Sequence, residues 1–373
     1  MIFFSIVLLL FFSANYFIFH RSLPSVQGLS YKNYLIALFW ILVLAYPVGR
    51  ILESVAPAFA PSVLIKVGSI WLAVMLYLLV GFLIVDILRF INYISGLHLL
   101  AFLSDKRTLI IAVIYAITTL LTVIGYINAR TPRVSQVEIN LPAELKISHP
   151  IKIVATSDIH LGTIISNGRL KKLTEMINSQ NPDIILLVGD TFDEDLGPVI
   201  RNNMGEQLAT LKAKYGAYAV TGNHEYYGNA AEAVNYLQNH GITVLQDTSI
   251  TVGGIVNLIG RNDRQSIRFL GKNRKPLEEL VREANQSLPS ILMDHQPFNL
   301  EEAENNNITL QLSGHTHHGQ LWPFNFITGA MFELSSGYLK KGNTHYYVSN
   351  GYGTWGPPVR IGNRPEIIVI TLK

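Results

Sequence analysis

Five short blocks of polar side chains each follow an apolar run of strand length. They are Asp158-Ile-His160, Gly189-Asp190-Thr-Phe-Asp193, Gly222-Asn223-His224-Glu225, Asp294-His295-Gln296-Pro297 and Gly314-His315-Thr316-His317. Carboxylate, imidazole and amide-oxygen donors suit Mn²⁺, Fe and Zn²⁺. Two such ions about 3.5 to 4 Å apart can stabilise both the attacking and the leaving oxygen of an in-line displacement, provided that a carboxylate bridges them. A hydroxide shared by two cations is available near neutral pH, so the reaction needs no Ser or Cys nucleophile. The chain has no Cys, which excludes disulfides, thiolate ligands and Cys nucleophiles and leaves any metal to His, Asp, Glu or Asn. Taken singly the residues are ordinary: Asp158, Asp190 and Asn223 would serve as helix N-caps, and His295 as a surface histidine. Their joint placement is what points to a metal site.

Positioning these blocks requires strands that end side by side. Ile151 to Ala155, Ile184 to Val188, Ala217 to Val220, Ile291 to Met293, Ile308 to Leu312 and Tyr346 to Val348 read as strands. Arg169 to Ser179, Glu206 to Lys214, Ala230 to Asn239 and Pro276 to Gln286 read as helices between them. This alternation predicts an α/β fold with the polar blocks at the carboxyl ends of strands, where such sheets place ligand sites. Gly162, Gly189, Gly222 and Gly314 suit the tight turns that would follow.

The five blocks resemble, in order and relative spacing, the D-x-H, G-D-x-x-D, G-N-H-E, lone His and G-H-x-H signature of the calcineurin-like metallophosphoesterases. The resemblance covers about 220 residues, everything from Ile151 onward. The tail Ser349 to Arg360, followed by Arg364-Pro-Glu, is similar to the membrane-associated bacterial branch of that family and to its animal relatives with transmembrane segments. The resemblance implies a four-layer α/β/β/α sandwich and a dinuclear centre. It makes Asp158, His160, Asp190 and His317 ligands of one ion, and Asp190, Asn223, His295 and His315 ligands of the other, with Asp190 the bridge. It turns His224 toward the substrate, to stabilise phosphoryl oxygens or protonate the leaving oxygen, with Asp193 holding its ring.

Other residues carry less. His318 stands where many relatives have Gly and stays outside the ligand set. His345 reads as a strand residue and His240 as a helix C-cap. Arg261, Arg264, Arg268, Lys272, Arg274 and Lys275 form a basic run around Phe269 and Leu270, which suits either a solvated face or a contact with anionic headgroups. The aromatic segment Leu321 to Phe332 suits either a pocket for an apolar substrate portion or a packed loop.

The preceding part of the chain is of another kind. Residues 1–149 hold ten Lys/Arg and five Asp/Glu, whereas residues 150–373 hold nineteen and twenty-one, so the net formal charge of +3 gives no argument for nucleic-acid binding. Four runs near 1–19, 33–52, 67–88 and 108–129 predict a multi-pass membrane unit over residues 1–130, since roughly 20 apolar residues span a bilayer. Met1 to Phe19 lacks a basic n-region and a small-residue cleavage pattern, so it reads as a retained helix. Residues 131–150, with Pro132, Pro142 and Pro150, read as a connector carrying one edge strand at 134–140, and 151–373 as the catalytic domain. Loop charges nearly balance and lean only slightly toward an extracytoplasmic catalytic domain.

The expected function is hydrolysis of phosphodiester or diphosphate bonds at two divalent ions, on a membrane. One branch of the resembled family cleaves UDP-2,3-diacylglucosamine, which makes a lipid-linked substrate the expected class and membrane lipids the expected partners. The rival reading is an inactive membrane scaffold that uses a phosphoesterase-like domain for binding. A degenerate domain should have lost ligands, and every block here retains its metal-type residues.

Overall fold

The computed structural model describes residues 2–55, 59–95, 106–145 and 147–373. The chain divides into two compact units, Met1–Ile127 with Gly356–Val359, and Asn128–Trp355 with Arg360–Lys373.

Among the described residues the first unit contains four long apolar helices: α1 (Ile2–Val26), α2 (Lys32–Val55), α3 (Phe59–Ser95) and α4 (Arg107–Ala129). Each is long and apolar enough to cross a membrane. Met1, part of the first expected span, lies outside the described residues. Ile18, Val43, Trp71, Leu78, Phe82 and Ile111 form the interior, while Leu9, Ile41, Ile87 and Leu120 point outward without protein cover. α1 and α3 run well beyond the uncharged stretches that predicted them. Charge does not end a helix when it is paired, and Asp86 of α3 is paired with Arg21 of α1 and, at 3.8 Å, with Arg89.

The second unit holds two six-stranded mixed sheets. Its strands are β1 (Arg133–Ile139), β2 (Ile151–Thr156), β3 (Ile184–Val188), β4 (Ala217–Val220), β5 (Ile242–Val244), β6 (Thr248–Val252), β7 (Val256–Gly260), β8 (Ser290–Met293), β9 (Leu310–Ser313), β10 (Gly337–Lys341), β11 (Thr344–Val348) and β12 (Glu366–Leu372). The first sheet has the order β1-β12-β2-β3-β4-β5 and the second β10-β11-β9-β8-β7-β6. Successive side chains point to opposite faces, so strands buried on both faces read as unbroken apolar runs. Ile153, Ile184, Leu186, Leu258, Ile291 and Met293 fill the space between the sheets. Their neighbours Val154, Ile185 and Leu187 meet helices Asn167–Asn178 and Ala230–Asn239 on one outer face, and Ile259 and Leu292 meet helix Leu277–Arg282 on the other. The layers are therefore α/β/β/α.

Three expected elements differ. The helix expected over Glu206 to Lys214 is the short Met204–Leu208, because the chain turns at Thr210 and Leu211 to enter β4. The helix expected over Pro276 to Gln286 ends at Arg282. The aromatic segment is not a packed loop but a helix, Phe324–Met331, with no buried residue, and its Phe324 and Thr328 line a cavity, as the pocket alternative expected.

Candidate metal centre

Parallel strands β2, β3 and β4 end at one edge of the first sheet, and parallel β8 and β9 end at the facing edge of the second. Asp158 and His160 follow β2, Asp190 follows β3, Asn223 follows β4, His295 follows β8, and His315 and His317 follow β9. The loops turn so sharply that Asp158, His160, Asp190, His315 and His317 all adopt positive φ, between 46 and 70°. Non-glycine residues rarely hold that conformation, and its strain is characteristic of sites over-determined by their surroundings. Two glycines permit the convergence: a Cβ at Gly222 would lie 2.2 Å from Asp190 Oδ1, and one at Gly314 2.2 Å from Asp158 Oδ2.

Three overlapping groups result, Asp158–His160–His317, His160–Asp190–His224 and Asp190–His295–His315, each with its donor atoms within 4.8 Å of one another. His295 Nδ1 donates to the carbonyl of Val188 at 2.8 Å, which aims Nε2 at Asp190 Oδ2, 3.1 Å away. Nε2 is buried and makes no aligned hydrogen bond. A divalent cation that displaced the Nε2 proton would lie between this nitrogen and the carboxylate, and a ligand histidine commonly anchors its other nitrogen on a backbone carbonyl in this way. His315 Nδ1 and Asn223 Oδ1 are 2.8 Å apart, and His160 Nε2 and His317 Nε2 3.0 Å apart, again donor atoms converging on shared points. The residues present fit divalent metal.

The electrostatics agree. Burial raises Asp158, and the adjacent Asp190 adds to the effect. Burial would raise Asp190 too, but His295, His224 and His160 outweigh it and hold this carboxylate well below its ordinary range. Burial would lower His295, yet Asp190 and Asp158 hold it well above the ordinary imidazole value. His160 is likewise raised, against burial, by Asp193, Asp190 and Asp158. Burial presses His315 down to about 4 and His317 well below its ordinary value, the latter aided by the charges of His160 and Arg360. Neutral His315 keeps the lone pair that a cation requires.

His224 sits at the wall of a cavity of about 400 Å³ with Tyr227, Phe324, Thr328 and Trp355. Its Nδ1 is 3.6 Å from Asp193 Oδ1 and 3.5 Å from Glu194 Oε1, and burial lowers its pKa. Asp193 Oδ1 is also 3.6 Å from His160 Nδ1, so one carboxylate serves both rings.

Two contributors carried no expected role. Glu225 accepts backbone N–H bonds from Gly222 at 2.7 Å, Asp190 at 3.1 Å and Phe192 at 3.0 Å, tying the β3 and β4 loops together. Its place three residues after the helix N-cap was the available signal. Arg360 is fully buried and donates to the carbonyls of Asn350, Gly351 and Gly353 and, at 3.1 Å, to His317 Nδ1. Of the remaining candidates, His318 stands outside the three groups, with Nδ1 3.2 Å from Ser335 Oγ. His345 is a buried β11 residue 2.6 Å from Tyr338 Oη, and His240 is the C-cap of helix Ala230–Asn239. The basic run divides: Arg261 pairs with Glu302 and Arg274 with Asp294, whereas Arg268, Lys272 and Lys275 are exposed. Neither Asp158 nor Asp190 is an N-cap residue, although Asp190 Oδ1 accepts the N–H of His224 at 2.9 Å in the first turn of helix Asn223–Tyr227, which begins behind Gly222.

An α/β/β/α sandwich with carboxylates and imidazoles gathered at facing strand ends is the framework of a metal-dependent phosphoesterase. The calcineurin-like phosphoesterase family matches residues 151–319, and the chain belongs to that family. A Campylobacter jejuni metallophosphoesterase is 32% identical over 246 residues, 65% of this chain and 64% of that protein. The zebrafish transmembrane protein with metallophosphoesterase domain is 33% identical over 270 residues, 69% of this chain and 61% of its own length. YkuE of Bacillus subtilis, a metallophosphoesterase, is 31% identical over 231 residues, 60% of this chain and 79% of that protein. The chain spans less than two thirds of the first two relatives.

Proposed function

We propose that this chain is a membrane-anchored phosphoesterase that hydrolyses phosphodiester or diphosphate bonds at a two-cation centre, on substrates carried by the bilayer. The observation that supports it is the sharing of Asp190 between two of the three donor groups, one of which includes His224 at the cavity wall. Asp158, His160, Asp190 and His317 would hold one cation and Asp190, Asn223, His295 and His315 the other. When bound, the ions supply Lewis-acid stabilisation of phosphoryl oxygens and lower the pKa of water. The chain's own residues do the rest. His224, oriented by Asp193, presents Nε2 to the phosphoryl or leaving oxygen, and Glu225 fixes the loops that carry Asp190 and Asn223. We place the start of the catalytic unit before β1, because β1 pairs along its whole length with β12, from Arg133 opposite Glu366 to Ile139 opposite Leu372. A lipid diphosphate such as UDP-2,3-diacylglucosamine is one candidate substrate.

The test uses the purified full-length chain in lipid nanodiscs, assayed on a soluble phosphodiester and on a lipid diphosphate before and after chelation. The reading expects metal-dependent turnover of both, with the lipid preferred. No turnover of either at any added divalent metal would favour a binding scaffold.

A further inference from the structure

The cavity that holds His224 opens between two exposed apolar lips. One is helix Phe324–Met331, which buries none of its residues although its sequence is Phe-Asn-Phe-Ile-Thr-Gly-Ala-Met; Phe326 is 66% and Met331 63% exposed, and Trp322 stands just before it. The other is the short helix Ser266–Leu270, whose Ile267, Phe269 and Leu270 are about half exposed. Both border the same cavity: Phe324 and Thr328 of the first line it with Tyr227, His224 and Trp355, and Phe269 of the second lies 6.0 Å from the Tyr227 ring. A soluble surface seldom leaves so much contiguous apolar area uncovered unless something docks there.

Two further observations identify what docks. Exposed Arg268 lies on the second lip, over the Phe269 ring, and exposed Lys272 follows it; cations beside aromatic residues are the composition of a surface that meets anionic headgroups. The chain also enters the second unit at this same edge. β12 runs antiparallel to β2, with Ile368 opposite Ala155, and β1 runs parallel to β12, so Arg133 at the start of β1 lies at the strand edge that carries Asp158. Only residues 130–132 separate Arg133 from Ala129, the last residue of an apolar helix long enough to span a membrane. Fully extended, that segment reaches about 14 Å. Ala129 and Arg133 are therefore within that reach of each other along the chain.

We propose that Phe324–Met331 and Ser266–Leu270 insert into the interface of an anionic bilayer and hold the mouth of the metal-centre cavity against it, so that substrate passes from the lipid layer to His224 without crossing water. This deepens the proposed phosphoesterase reading, and its test does not depend on turnover. Because the chain has no Cys, one introduced cysteine can carry one label. The full-length variants Phe326→Cys, Leu270→Cys and Lys212→Cys are labelled with an environment-sensitive fluorophore and placed in nanodiscs containing anionic lipid and lipid-borne nitroxide. Lys212 is exposed and precedes β4, at the opposite edge.

Labels at 326 and 270 should be quenched several-fold more than the label at 212, with blue-shifted emission. Adding Arg268→Gln with Lys272→Gln should reduce that quenching, by roughly fivefold in the docked-to-undocked ratio per residue, since a basic residue near such a surface contributes about 1 kcal/mol. Equal quenching at all three positions would overturn the proposal. So would cross-linking of the 326 or 270 cysteines into dimers, which would assign the lips to a second copy of the chain. Quenching without any hydrolysis would retain the docking surface and remove the phosphoesterase reading.

Discussion

The guanidinium of Arg360 stands 3.1 Å from Nδ1 of His317, on the side of the ring away from the metal centre. Within the second unit, Asn128 Nδ2 donates to the carbonyl of Arg360 at 2.9 Å and to that of Asn363 at 2.7 Å. Arg360 thus fixes the orientation of a candidate ligand. Arg360→Lys keeps a charge but loses the planar fork, so it should weaken metal affinity by about 10- to 100-fold, the usual cost of losing a partner behind a ligand. Isothermal titration of the full-length variant with Mn²⁺ or Zn²⁺ measures this. Unchanged affinity would make the contact merely structural.

Asp190 is the one carboxylate common to two donor groups. Asp190→Ala should lower bound metal from about two ions per chain toward one or none and abolish turnover. Elemental analysis of the variant checks it, and a full complement of metal would refute the bridging assignment.

His224 should separate from the ligands. Its lowered pKa follows from burial, and its Nδ1 faces Asp193 and Glu194. His224→Asn should keep its metal and lose roughly 10² to 10⁴ in kcat, the range for a general acid or a charge-stabilising donor. Loss of metal in step with activity would place His224 among the ligands.

Glu225 links the site to pH. Burial, with the charge of Asp190, pushes its carboxyl up to about 7 from an ordinary 4.5, against the pull of the Phe192 and Gly222 N–H donors. The native chain therefore holds a proton that the unfolded chain has already released between those values, so stability falls as pH rises through that window. The full effect is on the order of 3 kcal/mol for the metal-free protein. Thermal unfolding of chelated protein at pH 5 and pH 7.5 should show the decline, and Glu225→Gln should flatten it. An equal decline in the variant would assign the effect to other groups.

Much of this arrangement was legible in the chain before any coordinates. Asp158, Asp190 and His295 each follow an apolar run, and sheets buried on both faces produce such runs, so strand ends and site residues were found together. The same blocks carried the resemblance that implied the family and its α/β/β/α layers. What stayed hidden depends on contacts far apart in sequence. Arg133 and Glu366 pair across most of the chain, which nothing local in residues 131–150 announces. Arg360 lies far along the chain from His317, and its role rests on the carbonyls that cage it. Composition also cannot separate a buried aromatic segment from an exposed one, so Phe324–Met331 was open between pocket and packed loop until its exposure was seen.

The central claim is that catalysis runs on two cations held by the shared Asp190. The most direct measurement strips the full-length chain with chelator, adds back divalent metal in defined equivalents, and records bound metal and phosphodiester hydrolysis on the same samples. The account predicts no turnover in the stripped protein and activity that reaches its plateau only as the second equivalent binds. Full activity in protein shown to be free of metal, or a plateau after one bound ion per chain, would contradict it.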